Sequence, residues 1–300
     1  MTNLQKIRSA APAAAQRMRN LGIPEKIITD TFADIDLWAA WHKEHYGYEA
    51  ITERANEWLQ LHINCKVFRV GRFQCEPRLF SERGNARFFR NNKTGELTAI
   101  TAGEVTYRND GQVSGTSGIH EDGFRSYFCE TAETVEGLFI DPKGHATNKA
   151  TILNKNEWTE VLKAGMPVFS LHIPADGGFD WETIRKSLTD MIDFAKTHQS
   201  AIEELTGVQG PFTAFSLSSW LLDAQLDGIL PETSKLVQHL RQYYLIPFLC
   251  EGYNDLFFIF GDKKIDSIQP QDIKTTLQRN ILKFIQDGGR TRANTGVILF

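Results

Sequence analysis

The chain lacks a C-x-x-C pair, a glycine-rich phosphate loop and any long hydrophobic run. Its four cysteines, Cys65, Cys75, Cys129 and Cys250, are isolated from one another in 300 residues. Such sparse spacing excludes a disulfide framework and a zinc knuckle and points to reduced thiols in a cytoplasmic setting. No apolar stretch approaches the roughly 18 residues a membrane helix needs, so no membrane partner is expected. Lys and Arg total 33 against 37 Asp and Glu, a net charge of −4, which leaves no basic footprint for nucleic acid. G-x-x-x-x-G-K-[ST], G-x-G-x-x-G after a strand, G-x-S-x-G and H-E-x-x-H are all absent. P-loop hydrolysis, standard dinucleotide binding, serine esterase and zincin chemistry are thereby set aside.

The composition that is present, 41% hydrophobic and 23% charged with Phe 20 and Trp 6, supplies ample core for an ordinary globular protein. The first sixty or so residues carry helical periodicity. Leu4, Ile7, Ala14, Met18 and Leu21 make one stripe. Lys6, Arg8, Arg17 and Arg19 precede the first acid, Glu25, so the segment imitates a transit peptide in composition; a basic amphipathic helix accounts for it better. Gly22 and Pro24 punctuate the start of a second helix, with Ile27, Ile28, Phe32, Ile35 and Trp38 on one side. Ile51, Ala55, Trp58, Leu59 and His62 share a face of a third. His42 and His45 lie at a metal-compatible spacing without a third ligand, which predicts a solvated helix face and no metal.

Period two takes over from Lys66 to about Asn148. Lys66–Glu76 reads as one strand, with Phe68, Val70, Arg72, Gln74 and Glu76 in one row. Further strands are predicted at Leu97–Tyr107, Phe124–Thr131 and Val135–Ile140. Beyond Lys149 strands and helices alternate. The pattern gives a short helix at Asn156–Leu162, a strand at Pro167–Ile173, a helix capped by Asp180, a strand at Phe212–Leu217 and a helix from Leu236 to Tyr243. A central strand at Leu256–Phe260 and a last helix ending at Gly288 follow. The fold class is α+β, an α/β sandwich with a helical N-terminus and a mixed central sheet, divided into residues 1–148 and 149–300.

A polar side chain on an inward strand row is expensive unless it is paired or used. Three such rows stand out: Arg72, Gln74 and Glu76; Ser170 and His172; Ser216 and Ser218. Glu76 and His172 are candidate general bases, and the row predicts that they share a cleft. Pro174–Gly178 leads from a strand into a helix N-terminus, where backbone N–H groups can hold an anion. Asp176, Asp180 and Glu182 crowd the same place, and a simple capped turn explains it equally well.

Five segments occur in order: Phe68-Arg-Val-Gly-Arg-Phe-Gln-Cys-Glu76, His172-Ile-Pro-Ala-Asp-Gly-Gly178, Ser219-Trp-Leu-Leu-Asp-Ala-Gln-Leu226, Leu230-Pro-Glu-Thr-Ser234 and Thr276-Leu-Gln-Arg279. From about Trp41 to Gly289 the chain resembles the bacterial acyltransferase-domain proteins that join an N-acyltransferase N-terminal domain to a GNAT-like C-terminal domain. The resemblance implies acyl-CoA as co-substrate and an amine of a small molecule or peptide as acceptor. It places Ile173, Ala175, Gly177 and Gly178 at the cofactor and Tyr243 as the acid for the leaving thiolate, while Arg72, Gln74 and Ser218 of the inward polar rows are the candidate substrate contacts. Backbone amides near His172–Ala175 would polarise the thioester carbonyl. The usual Q/R-x-x-G-x-G/A loop is missing, which keeps open a second reading: a GNAT-derived binding protein without catalysis.

Overall fold

The computed structural model describes residues 1–81, 85–174, 176–178, 180–250, 256–261 and 263–300. Helices α1 (Asn3–Asn20), α2 (Glu25–Tyr46) and α3 (Glu53–Ile63) come first, then β1 (Phe68–Val70) and β2 (Phe73–Leu79). A run of strands follows: β3 (Ala86–Asn91), β4 (Leu97–Thr101), β5 (Thr106–Tyr107), β6 (Phe124–Arg125), β7 (Phe128–Glu130), β8 (Thr134–Ile140), β9 (Ala146–Asn154), β10 (Trp158–Leu162) and β11 (Pro167–His172). The rest is α4 (Trp181–Thr197), α5 (Gln199–Thr206), β12 (Ala214–Ser219), α6 (Leu226–Ile229), α7 (Lys235–Leu240), β13 (Tyr244–Pro247), α8 (Leu256–Phe260), α9 (Thr276–Gln286) and β14 (Asn294–Leu299). Two compact units result, one of residues 1–79, 167–215 and 300, the other of residues 80–166 and 216–299. The α+β class with a helical N-terminus is the one expected from the sequence.

In the first unit, α1 opens with a capping box between Thr2 and Gln5. Leu4 and Ile7 of α1 pack on Ile35 and Ala39 of α2 and on Ala55 and Leu59 of α3. Burying each Leu or Ile of this cluster contributes about 1.5–3 kcal/mol to holding the three helices together. Asp180 caps α4 by accepting from the Thr183 amide. The buried stripe Ile184, Ser187, Met191 and Phe194 follows, and the Phe194 ring meets Phe68 of β1 at 5.4 Å. β11 runs antiparallel to β2, with His172 opposite Gln74 and Ser170 opposite Glu76.

The predicted single strand over Lys66–Glu76 is a hairpin. Gly71 adopts φ 61°, which favours glycine, and the chain reverses so that Val70 faces Phe73 and Phe68 faces Cys75. A Cβ at position 71 would stand 2.3 Å from the Ser187 hydroxyl, so glycine also permits the close seat of α4. The Arg72 amide donates to that same hydroxyl (2.9 Å).

In the second unit, β10, β3, β4, β8 and β7 form an antiparallel sheet in that order, with β9 also paired to β8. Phe89, Ile100, Val135 and Leu153 form its core. β13 and β14 pair antiparallel. The buried Tyr244 hydroxyl donates to the Ile140 carbonyl and accepts from the Ala99 amide at 3.2 Å.

Other predicted elements differ: Leu97–Tyr107 is interrupted into β4 and β5, and Phe124–Thr131 into β6 and β7, with β5 and β6 paired to each other in a separate two-stranded sheet. Asn156–Leu162 is not a helix: Trp158–Leu162 pairs with β3, where its aromatic and β-branched residues fit a pleated surface. Leu256–Phe260 is a short helix, not a central strand; a five-residue apolar run cannot be told from a helical turn by periodicity. His42 is buried, its Nδ1 3.0 Å from the Tyr48 carbonyl, so it does not belong to a solvated face. The helix predicted to reach Tyr243 ends at Leu240.

Candidate active site

Strand pairing fixes the first contact. In the antiparallel ladder of β2 and β11, Glu76 and His172 lie two rungs apart on the same face, and His172 Nε2 stands 3.1 Å from Glu76 Oε2. The imidazole side chain is 34% exposed and the carboxylate 19%, so the pair is sheltered but open to a reactant. Burial pushes the Glu76 carboxyl up, but the hydrogen bond and charge of His172, with Arg78 3.8 Å away, outweigh it and leave the group below its ordinary value. An ionised Glu76 can accept a proton only from Nε2, and in the tautomer that donates it Nδ1 carries the lone pair.

Helix α3 supplies the surroundings. The Trp58 ring lies against the His172 ring, centroids 4.5 Å apart and planes at 52°. The Trp58 indole N–H donates to Asp34 Oδ2 at 2.8 Å, and His62 Nε2 lies 3.4 Å from the same oxygen. His62 is fully buried, with Nδ1 3.3 Å from the Trp58 carbonyl. Burial holds the His62 imidazole below its ordinary value, against the pull of Asp34. In the neutral ring Nδ1–H donates to that carbonyl and Nε2 accepts from the Gln74 amide, 3.3 Å away.

The residues singled out in the sequence, Ala175 apart, have these places. Glu76 and His172 meet. Gln74 is buried against His62. The Arg72 guanidinium is buried and donates to the carbonyls of Pro174 (2.9 Å), Gly177 (3.1 Å) and Gly178 (3.1 Å). It therefore braces the turn between β11 and α4. Beside it, Arg69 pairs with Asp176 at 2.8 Å. Ile173 is half-buried, and Gly177 and Gly178 are exposed ahead of α4; Ala175 lies outside the described residues. Ser218 and Tyr243 belong to the other unit. Ser218 shares a 2.7 Å hydrogen bond with Thr295, and the buried Tyr243 hydroxyl is 3.3 Å from His239 Nε2. Burial pushes the Tyr243 phenol far above its ordinary value. Asp34 escaped the sequence reading because it sits one residue before the apolar Ile35, and nothing in the helical pattern marks it.

Among the described residues no group of His, Cys, Asp and Glu is placed to hold a metal ion, and no helix is long and apolar enough to cross a membrane. Residues 7–65 match the N-acyltransferase N-terminal domain and residues 67–298 match the GNAT-like C-terminal domain. No curated protein matches the sequence significantly. Among solved structures, the chain is similar to an acyltransferase mutant in complex with octanoyl-CoA, at 17% identity and a TM-score of 0.61, covering 98% of this chain and 64% of that one. It is also similar to an acyltransferase in complex with decanoyl-CoA (18% identity, TM-score 0.59, 99% and 65% coverage). A third is an acyltransferase in complex with decanoyl-CoA and teicoplanin (17% identity, TM-score 0.58, 97% and 63% coverage). The chain thus spans just under two thirds of the length of these structures. With both segments matched across nearly its whole length, the chain belongs to the family that joins an N-acyltransferase N-terminal domain to a GNAT-like C-terminal domain.

Proposed function

We propose that this protein transfers an acyl group from acyl-CoA to an amine of a small molecule or peptide, with Glu76 and His172 as its general base. The observation that carries this reading is the 3.1 Å pairing of a part-exposed imidazole with an ionised carboxylate, in a chain of N-acyltransferase lineage. His172 Nδ1 takes the proton of the attacking amine as the new C–N bond forms at the thioester carbonyl. Glu76 stabilises the imidazolium that results. The tetrahedral intermediate collapses with loss of the CoA thiolate, and the proton held by His172 is available to it. This route does not call on Tyr243 as the acid, whose phenol is buried and holds its proton tightly.

Ile173, Gly177 and Gly178 are the proposed CoA contacts. Exposed glycines before the 17-residue α4 allow close approach of a phosphate to backbone, and Arg72 keeps the turn in shape. The similar acyltransferases were solved with octanoyl-CoA and decanoyl-CoA, so medium-chain acyl-CoAs are the donors to try first. The rival reading, a non-catalytic binding protein, draws on Asp176, Asp180 and Glu182 beside the same turn, which oppose an anion. Calorimetric titration with acetyl-, octanoyl- and decanoyl-CoA separates the two. Binding of an acyl-CoA that survives His172→Ala supports the transferase; absence of binding for all three leaves the rival.

A further inference from the structure

We infer that Asp34 is a positioning residue for His172, acting through the indole of Trp58; the inference rests on the reading of Glu76 and His172 as the general base. Asp34 is 3% exposed on α2, a position where an apolar side chain would serve helix packing at lower expense. Its carboxylate is turned to α3, where Oδ2 accepts the Trp58 N–H at 2.8 Å. The indole so held lies against the His172 ring, and Glu76 holds the same imidazole through Nε2. The base is therefore fixed on two sides: a carboxylate on one nitrogen and an anchored aromatic face on the ring. Loosening Trp58 frees the imidazole to turn and to exchange which nitrogen faces Glu76, and Nδ1 then no longer meets the amine consistently. General-base catalysis depends on that placement.

The test compares the unmodified protein with Asp34→Ala, Asp34→Asn, Trp58→Phe, the double variant Asp34→Ala/Trp58→Phe and His172→Ala. Nitrogen-15 NMR of the imidazoles reports which nitrogen of His172 carries the proton and needs no substrate. The unmodified protein is expected to hold the proton on Nε2. Asp34→Ala and Trp58→Phe are expected to mix the tautomers and to lower kcat about tenfold or more, with KM for acyl-CoA unchanged. Asp34→Asn, whose amide oxygen still accepts from the indole, recovers most of the loss. Because both residues act on one ring, the double variant is no slower than the slower single one. Trp58→Phe keeps an aromatic ring in place, so it remains informative even where Asp34→Ala folds poorly. An unchanged tautomer and kcat in Trp58→Phe and Asp34→Ala, with turnover abolished in His172→Ala, overturns the positioning role alone. Additive losses, or lowered thermal stability with kcat and tautomer intact, overturn it too. Full turnover in His172→Ala removes the catalytic reading itself, and with it this inference.

Discussion

Replacing Arg72 by methionine keeps the length of the side chain and removes the guanidinium that binds three carbonyls of the turn before α4. The loss is unequal across them. Pro174 is buried, and its stranded carbonyl costs about 1–3 kcal/mol. Gly177 and Gly178 are exposed, so water replaces the guanidinium there and each loss is nearer 0.5 kcal/mol. Relief of the buried charge offsets part of the total, since burial already pulls the Arg72 guanidinium below its ordinary value. The net is about 2 kcal/mol of local stability, or roughly 30-fold more frequent opening of the turn. Amide hydrogen exchange measures it directly. Protection of residues 176–184, apart from those outside the described set, should fall by roughly that factor. The strands β3 and β4 should be unaffected. Arg72→Lys, with one compact ammonium in place of a planar fork, should recover only part. Unchanged protection in Arg72→Met would refute the bracing role, and so would an equal loss at every amide of the protein.

Gly71→Ala places a Cβ 2.3 Å from the Ser187 hydroxyl and forces φ 61° on alanine, so urea unfolding should show a loss of about 2 kcal/mol or more, whereas Gly207→Ala, where space is open at a similar φ, should lose only about 1 kcal/mol. Tyr244→Phe strips the partner from the Ile140 carbonyl and the Ala99 amide and should lower stability by about 1–3 kcal/mol in the same assay. His62 has a folded value below its unfolded one, so acid favours the unfolded chain: its contribution is complete above roughly pH 6.5 and is lost as pH falls from there through the folded value. Stability curves of the unmodified protein and His62→Gln should therefore converge as pH falls below 7, and parallel curves would contradict the assignment.

The helical N-terminus and the helices α4 and α9 were legible because their apolar residues recur at helical spacing and their ends carry Gly22, Asp180 and the paired glycines Gly288 and Gly289. The hairpin at Gly71 was not. Alternation continues through the turn in the sequence, and the reversal shows only in the positive φ of Gly71 and the close approach of Ser187 to it. Five consecutive apolar residues at 256–260 satisfy both periods, so local pattern could not choose between them. Glu76 and His172, which the structure brings together, were singled out because polar residues on inward rows are costly, and that argument is local to each strand. The contact of Asp34 with Trp58 arises where two helices pack on each other, a relation that no single stretch of sequence expresses. Arg72 was selected by the same row argument as Glu76, yet the hairpin aims its guanidinium at the turn carbonyls.

The most direct test of acyl transfer by the Glu76–His172 pair is release of free CoA thiol from octanoyl- and decanoyl-CoA, measured with and without a panel of amine and peptide acceptors. The unmodified protein is expected to release thiol in an acceptor-dependent way. His172→Ala should slow it about a hundredfold or more, the usual size of a general-base contribution, with affinity for acyl-CoA retained. Acceptor-dependent release at the same rate in His172→Ala would contradict the account.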